Sequence, residues 1–225
     1  MLENHAGTNV FSWISHVSRK GANIVIAGEH GSGKSYLLDV ILKDVIADSP
    51  QEKIFLSLKK FPVLDVEETQ SVVAVPVSNV DMPIHALRMR QERLILDEAN
   101  AGETLENVLL FHDITTCEDR LGQYIITLDA NGSVEDRVNE LSFGMSGEDV
   151  RNEFLETIDF IIYMNPGSGR TEEYPEGIKS ISEVIIGADG SLGERAIWEY
   201  SDTDDRAFLQ TGTPSRHRRE KFFWC

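Results

Sequence analysis

The segment IVIAGEHGSGKS, residues 24–35, joins a short apolar run to a glycine-rich loop. The run Ile24–Ala27 predicts a buried strand, and apolar residues at helical spacing over 37–46 predict an amphipathic helix after the loop. The loop fits the pattern G-x-x-x-x-G-K-S from Gly28 to Ser35. A strand, this loop and a helix in succession are typical of a site that binds nucleotide phosphates.

The loop residues each have a physical role in this pattern. Glycines let the backbone turn tightly and bring its N–H groups close to phosphate oxygens. Lys34 is expected to reach the β- and γ-phosphates and to assist catalysis, and the Ser35 hydroxyl is expected to ligate Mg²⁺. His30 stands at a variable position and is expected to line the site rather than to catalyse. We therefore predict a site for ATP or GTP with Mg²⁺, formed by Gly28, Gly31, Ser32, Gly33, Lys34, Ser35 and Tyr36.

Two acids follow a second apolar run further along the chain. Leu94–Leu96 predicts a strand that leads directly into Asp97 and Glu98. Because ligands collect at the carboxyl ends of parallel strands, these acids are expected to lie beside the loop. Asp97 would then hold Mg²⁺ through water, and Glu98 would orient or deprotonate the attacking water. The alternative is that both are solvated acids at the end of a strand.

The order of elements predicts the fold class. Strands and helices alternate through the first part of the chain, and a hairpin follows, formed by residues 178–186 and 195–200. This order predicts an α/β fold with a mainly parallel sheet flanked by helices and a C-terminal β-hairpin. The predicted boundaries are a helix and linker over 1–22, one nucleotide-binding domain over 23–200, and a polar tail over 201–225.

Composition restricts the classes of partner. The formal net charge is −17, which disfavours direct binding of nucleic acid. No apolar run approaches the roughly 18 residues of a membrane span. The chain has two cysteines far apart, Cys117 and Cys225, so we expect a reducing cytoplasm rather than a disulfide framework. The basic run 216–219 is expected to be a solvated tail, with an acidic partner or anionic membrane surface as the alternative.

The segment ALRMRQERLILDEANAGETLENVL, residues 86–109, resembles one region of the secretion "traffic" ATPases. These motors of type II secretion, type IV pili, tight-adherence pili and type IV secretion commonly read L-R-M-R-P-D-R-I-I-V-G-E-V-R-G-x-E there. The segments DFIIYMN (159–165) and ISEV (181–184) also resemble the family, so the likeness runs from about residue 23 to residue 200. The chain keeps the family residues Leu87, Arg88, Met89, Arg90, Arg93, Glu98 and Glu103.

The resemblance implies a RecA-like motor domain that binds ATP between neighbouring subunits of a ring, typically a hexamer. It implies a cytoplasmic location at the inner face of a membrane complex, with inner-membrane components of a secretion or pilus machine as partners. Family members usually carry a further N-terminal domain, so we expect this chain to be a motor domain alone. The matching candidates for phosphate-sensing arginines are Arg88, Arg90 and Arg93; the alternative is that they pair with surface acids.

The chain departs from the family pattern at several positions. Gln91 and Asp97 replace the usual proline and glycine. Lys59 and Lys60 stand where the family has an acidic box, for which Glu67 or Glu68 could substitute. In YIITLDAN (124–131), Asp129 replaces the histidine of the family's S-T-I-H-A-N. A carboxylate close to a triphosphate adds repulsion, so hydrolysis could be slow.

Three functions therefore stay open from the sequence. The first is an ATP-hydrolysing motor subunit of a secretion, conjugation or pilus-like machine. The second is a nucleotide-binding structural or regulatory subunit of the same machinery with little turnover, which the altered boxes favour. The third is a small-molecule kinase, but the arginine-rich lid that such enzymes usually present is not found in mid-chain.

Overall fold

A computed structural model of the chain describes residues 10–48, 51–58, 72–76, 81–141, 145–165, 177–187, 192–201 and 207–223. Within these ranges, helices and strands are interspersed up to residue 164, although two strands (54–58 and 72–76) and two helices (134–141 and 148–157) follow one another among the described elements. The elements are α1 (Val10–Arg19), β1 (Ile24–Gly28), α2 (Lys34–Asp48), β2 (Ile54–Leu58), β3 (Val72–Pro76), α3 (Met82–Arg88), β4 (Arg93–Leu96), α4 (Gly102–Cys117), β5 (Gln123–Asp129), α5 (Val134–Leu141), α6 (Glu148–Thr157), β6 (Phe160–Met164), β7 (Ile178–Ile186), β8 (Leu192–Ser201), β9 (Ala207–Gln210) and α7 (Arg216–Phe223).

The strands form one mixed sheet in the order β3-β2-β4-β5-β1-β6-β7-β8-β9. The first six strands of this order, β3-β2-β4-β5-β1-β6, pair in parallel. The strands β7, β8 and β9 continue the sheet by antiparallel pairing. The predicted fold class, a mainly parallel sheet with a C-terminal hairpin, is confirmed, and β9 adds one strand to the hairpin.

One topological feature positions the site. The strand β5 lies between β1 and β4, so the loop after β1 and the acids after β4 are separated by one strand. The register pairs Gly28 with Asp129 and Leu96 with Ile126. The carboxyl ends of these parallel strands therefore meet at one edge of the sheet, where open α/β sheets bind their ligands.

Helices cover both faces of the sheet, and the strands bury residues on both sides. On β1, Ile24 and Ile26 face one hydrophobic cluster, whereas Val25 and Ala27 face the other. This alternation follows from the two-residue period of a strand, and burial on both faces explains the uninterrupted apolar run. The first cluster includes residues of α1, α2 and α7. The second includes residues of α3, α4, α5 and α6.

Both ends of the described chain pack against the domain predicted over residues 23–200. In α1, Trp13, Ile14 and Val17 are buried in the first cluster. In α7, Phe222 is fully buried, and its ring centroid lies 5.7 Å from that of Phe160. The segment predicted as a polar tail thus supplies β9, which pairs with β8, and a helix that completes the core.

The basic run of α7 is also only partly a solvated surface. Asp159 is fully buried and accepts hydrogen bonds from Lys221 Nζ, at 3.1 Å for Oδ2, and it forms an ion pair with Arg218. A buried carboxylate is costly unless it is paired, so these contacts fix α7 to the start of β6. Arg216, by contrast, is exposed and pairs with Glu220, one helical turn away.

Candidate nucleotide-binding site

The glycine-rich loop joins β1 to α2 and has the backbone that its sequence requires. Gly31 and Gly33 have φ values of +82° and +95°, which are unfavourable for residues with a side chain. A Cβ at Gly28 would lie 2.8 Å from Ser32 Oγ and 2.9 Å from Met164 Cβ, so there is no room for one. A Cβ at Gly31 would meet no atom within 4 Å, so this part of the loop is open. The loop leads into the N-terminus of a long helix, which favours anion binding.

Lys34 is buried, and its ammonium contacts the backbone of the loop. Its side chain is 6% exposed, and Nζ donates hydrogen bonds to Gly28 O at 2.9 Å and Glu29 O at 2.7 Å. Nζ also lies 2.8 Å from Asp129 Oδ1 at the end of β5. The loop lysine is therefore held by two carbonyls and one carboxylate.

The structure brings together the two residues that the sequence assigned to the metal. Ser35 Oγ donates a hydrogen bond to Asp97 Oδ1 at 2.9 Å, across 62 positions of sequence. Thr127 Oγ1 donates to the same oxygen at 2.7 Å. Asp97 is 3% exposed, so its carboxylate is fixed in position. This hydroxyl and carboxylate are hard oxygen ligands of the kind that Mg²⁺ prefers, so the residues fit the ion.

Glu98 follows Asp97 in an unusual backbone conformation. Its φ is +66°, a left-handed value that costs a residue with a side chain about 1–2 kcal/mol. Its backbone N–H donates to Thr127 Oγ1 at 2.6 Å, and Ala99 N–H donates to Thr127 O at 2.9 Å. Thr127 therefore holds the turn that presents both acids, a role that the sequence analysis missed. A hydroxyl within the otherwise apolar run of β5 is the signal that could have found it.

Asp129 and Asn100 form a reciprocal pair next to the lysine. Asn100 Nδ2 donates to Asp129 Oδ2 at 2.9 Å, and Asp129 N–H donates to Asn100 Oδ1 at 2.8 Å. Burial raises the pKa of the Asp129 carboxyl, but the hydrogen bond and charge of Lys34, with smaller effects of His30 and Asn100, outweigh it, so the pKa is lowered overall. Asp129 is thus ionised at neutral pH. Asn100 was not singled out from the sequence.

Arg93 lies away from the loop of its own chain. It begins β4, at the strand's amino end, and is 1% exposed. Its guanidinium donates to Ser18 O and Arg19 O, each at 3.0 Å, and also contacts Gln123 Oε1 and Glu52. These contacts attach the end of α1 to the sheet. A guanidinium with these partners and this burial is structural.

Arg88 and Arg90 are exposed, but at the same edge as Arg93. Helix α3 ends at Arg88, and the chain then enters the amino end of β4. The loop and both acids lie at the carboxyl ends of the strands, so these arginines face away from the phosphate site of their own chain. Any contact that they make with phosphate would require a neighbouring subunit.

The remaining predicted site residues differ in burial. Ser32 is buried within the loop, whereas Tyr36 is exposed on the first turn of α2. His30 is exposed. The residues discussed for the altered acidic box, Lys59, Lys60, Glu67 and Glu68, lie outside the described residues.

Solved structures of similar fold include an ATPase of a type IV secretion system. The chain is similar to the VirB11 ATPase of the Brucella suis type IV secretion system, determined in complex with sulphate, with a TM-score of 0.58 and 19% identity over 77% of this chain and 53% of that chain. It is also similar to the ATPase DotB of Legionella pneumophila (TM-score 0.49, 22% identity, 83% and 48% covered) and of Yersinia pseudotuberculosis (0.49, 14%, 89% and 46%).

The likeness to VirB11 shows a shared fold, the RecA-like P-loop fold, as the sequence resemblance implied. The chain spans about half the length of the solved proteins. No protein-family model and no curated protein sequence matches it. Among the described residues, no helix has both the length and the apolar character needed to cross a lipid bilayer.

Proposed function

We propose that this chain is an ATP-binding and ATP-hydrolysing motor subunit, a divergent relative of the secretion and type IV pilus ATPases. The observation that carries the proposal is the contact of Ser35 Oγ with Asp97 Oδ1 beside Lys34. A glycine-rich turn with no ligand would not need the lysine and hydroxyl at the start of α2 to meet a buried acid that follows β4. An amide-lined loop, one ammonium and hard oxygen ligands suit a magnesium-bound triphosphate.

Each residue has a distinct part in hydrolysis. Lys34 and the loop amides bind the phosphates, while Ser35 and Asp97 hold Mg²⁺, which when bound neutralises charge on the transferred phosphoryl group. Glu98 orients the attacking water or takes its proton. The Thr127 hydroxyl positions both acids. It donates a hydrogen bond to the Asp97 carboxylate and accepts one from the backbone N–H of Glu98.

The type of machine is inferred from the fold together with the sequence segment L-R-M-R at 87–90. The fold is shared with VirB11, a type IV secretion ATPase, at a TM-score of 0.58. We propose a ring of identical subunits, a hexamer, acting at the cytoplasmic face of a secretion, conjugation or pilus-like complex. In such a ring Arg88 and Arg90, which face away from their own site, would be free to approach the phosphates of a neighbour.

A set of three variants tests the proposal. Lys34→Ala is expected to abolish ATP binding, and Glu98→Gln to retain binding and stop phosphate release. Glu153→Gln, an exposed glutamate on α6, is the matched control and should behave as wild type. ATP binding, phosphate release and mass by light scattering are measured together. Full activity of Glu98→Gln would exclude that residue as the catalyst, and a fully active monomer would contradict the ring.

One observation favours a second function, a nucleotide-binding subunit with little turnover. The Asp129 carboxylate already forms an ion pair with the loop lysine, with 2.8 Å between Asp129 Oδ1 and Lys34 Nζ. The secretion ATPases that the sequence resembles have a histidine at this position. A negative charge there opposes the binding of a triphosphate. The same assay separates the two functions: this alternative predicts binding that Lys34→Ala abolishes, with phosphate release no faster in wild type than in Glu98→Gln.

A further inference from the structure

Three possible metal ligands converge at the mouth of the loop. His30 comes from the loop after β1, Glu98 from the end of β4, and Asp129 from the end of β5. One ligand atom of each lies within 4.8 Å of the other two. The nucleotide-binding pattern requires no histidine at position 30, so nucleotide binding leaves His30 unexplained.

We propose that His30, Glu98 and Asp129 form a binding site for a divalent transition-metal ion of the Zn²⁺ type in the nucleotide-free protein. One imidazole nitrogen and two carboxylate oxygens are a ligand set that Zn²⁺ uses, with a fourth position left for water. Mg²⁺ prefers oxygen ligands alone, so the imidazole selects a softer ion than the one bound with ATP. The site is therefore distinct from the Ser35–Asp97 pair.

The geometry requires only a small closing movement. Zn²⁺ bonds of about 2.0–2.2 Å in a tetrahedron place ligand atoms about 3.3–3.6 Å apart. The two carboxylates belong to residues at the ends of β4 and β5, whereas His30 is exposed and can turn towards them. Asn100 Nδ2 donates to Asp129 Oδ2 at 2.9 Å, which orients that carboxylate as the outer partners of metal ligands do.

Lys34 is the natural competitor of this ion. Its Nζ lies 2.8 Å from Asp129 Oδ1, so a metal bound to that carboxylate has to displace the ammonium or tolerate its charge. Removing the lysine should therefore tighten metal binding, although it abolishes nucleotide binding. If the proposed function holds, a metal on Glu98 also withdraws that carboxylate from water, and Zn²⁺ inhibits hydrolysis in competition with Mg²⁺-ATP.

The test is titration of the full chain with Zn²⁺ against a chromogenic chelator, without nucleotide. Wild type should bind one ion per chain, and His30→Gln should lose affinity by about 10–100-fold. His85→Gln, a matched change at an exposed histidine of α3, should have no effect. Lys34→Ala should bind the ion more tightly than wild type. The same titration with Co²⁺ should give a visible spectrum without the charge-transfer band of a thiolate, which excludes the cysteines.

Several results would overturn this proposal. They are no saturable binding, binding unchanged in His30→Gln, equal loss in His85→Gln, or weaker binding in Lys34→Ala. The outcome is separable from that of the proposed function, because metal binding is measured without ATP. A chain that binds Zn²⁺ through His30 but never releases phosphate would refute only the motor, and an active enzyme without Zn²⁺ affinity would refute only the metal site.

Discussion

Asp129→Asn tests whether the carboxylate beside the loop lysine opposes nucleotide binding. Asparagine has nearly the same shape, and its amide oxygen can still accept the hydrogen bond that Asn100 now donates to Asp129 Oδ2 at 2.9 Å. The substitution therefore removes one negative charge and leaves the turn in place. We expect ATP to bind more tightly to the variant than to wild type.

The magnitude follows from charge and distance. When Lys34 contacts both Asp129 and a phosphate, the two anionic oxygens lie at most about 6 Å apart, twice the length of a hydrogen bond. The attraction between Lys34 and Asp129 is present in the free and the bound protein, so it largely cancels from the binding free energy. The repulsion between Asp129 and the phosphate remains. Unit charges at this distance in a half-exposed site repel by about 1–2 kcal/mol, which corresponds to about 5–30-fold in the dissociation constant.

Calorimetry with Mg²⁺-ATP measures this, with Glu98→Gln as background so that no nucleotide is consumed. Asp113→Asn, an exposed aspartate on α4, is the control because it makes the same change in net charge away from the loop. Since the pKa of Asp129 is lowered, the carboxylate stays ionised and the gain should be equal at pH 6 and pH 8. Unchanged or weaker binding, or an equal gain in the control, would refute the reasoning.

Three further predictions concern the supports of the site and the fold. Thr127→Val removes the hydroxyl that bonds to both acids and should slow phosphate release by about 10–100-fold with ATP affinity little changed, as measured by steady-state kinetics and calorimetry. Arg93→Met leaves buried partners unpaired and should lower the free energy of unfolding by about 3–5 kcal/mol in urea titrations, with ATP affinity retained per folded molecule. Phe222→Ala should cost about 3–5 kcal/mol in the same titrations, and the partly exposed Phe223→Ala clearly less; equal effects would contradict the packing of α7.

The centre of the site follows from the sequence because two general rules suffice to place it. The pattern of the loop assigns Lys34 and Ser35, and an apolar strand that ends in acids assigns Asp97 and Glu98. Parallel strands present their carboxyl ends at one edge, so the acids could be placed beside the loop without knowledge of the side-chain packing. The direct hydrogen bond from Ser35 to Asp97 is seen only in the structure.

The supports of the site depend on tertiary contacts that no local pattern encodes. Arg93 stands in a segment that resembles a motor motif, but its role is decided by the carbonyls of Ser18 and Arg19, 75 and 74 positions away. The last helix, α7, is polar overall, and a single buried side chain, Phe222, together with the partners of buried Asp159, makes it part of the core. Propensity and periodicity carry no information on such contacts.

ATP and the metal ion both depend on the charges of Lys34 and Asp129. Substitution of either residue should therefore change the affinities for ATP and for the metal in opposite directions. Lys34 attracts phosphate and repels a metal, whereas Asp129 repels phosphate and attracts a metal. Lys34→Ala should therefore weaken ATP and tighten Zn²⁺, and Asp129→Asn should tighten ATP and weaken Zn²⁺. Damage to the fold would weaken both ligands in either variant. A crossed pattern would consequently mean that the 2.8 Å contact between these two side chains sets which ligand the loop accepts.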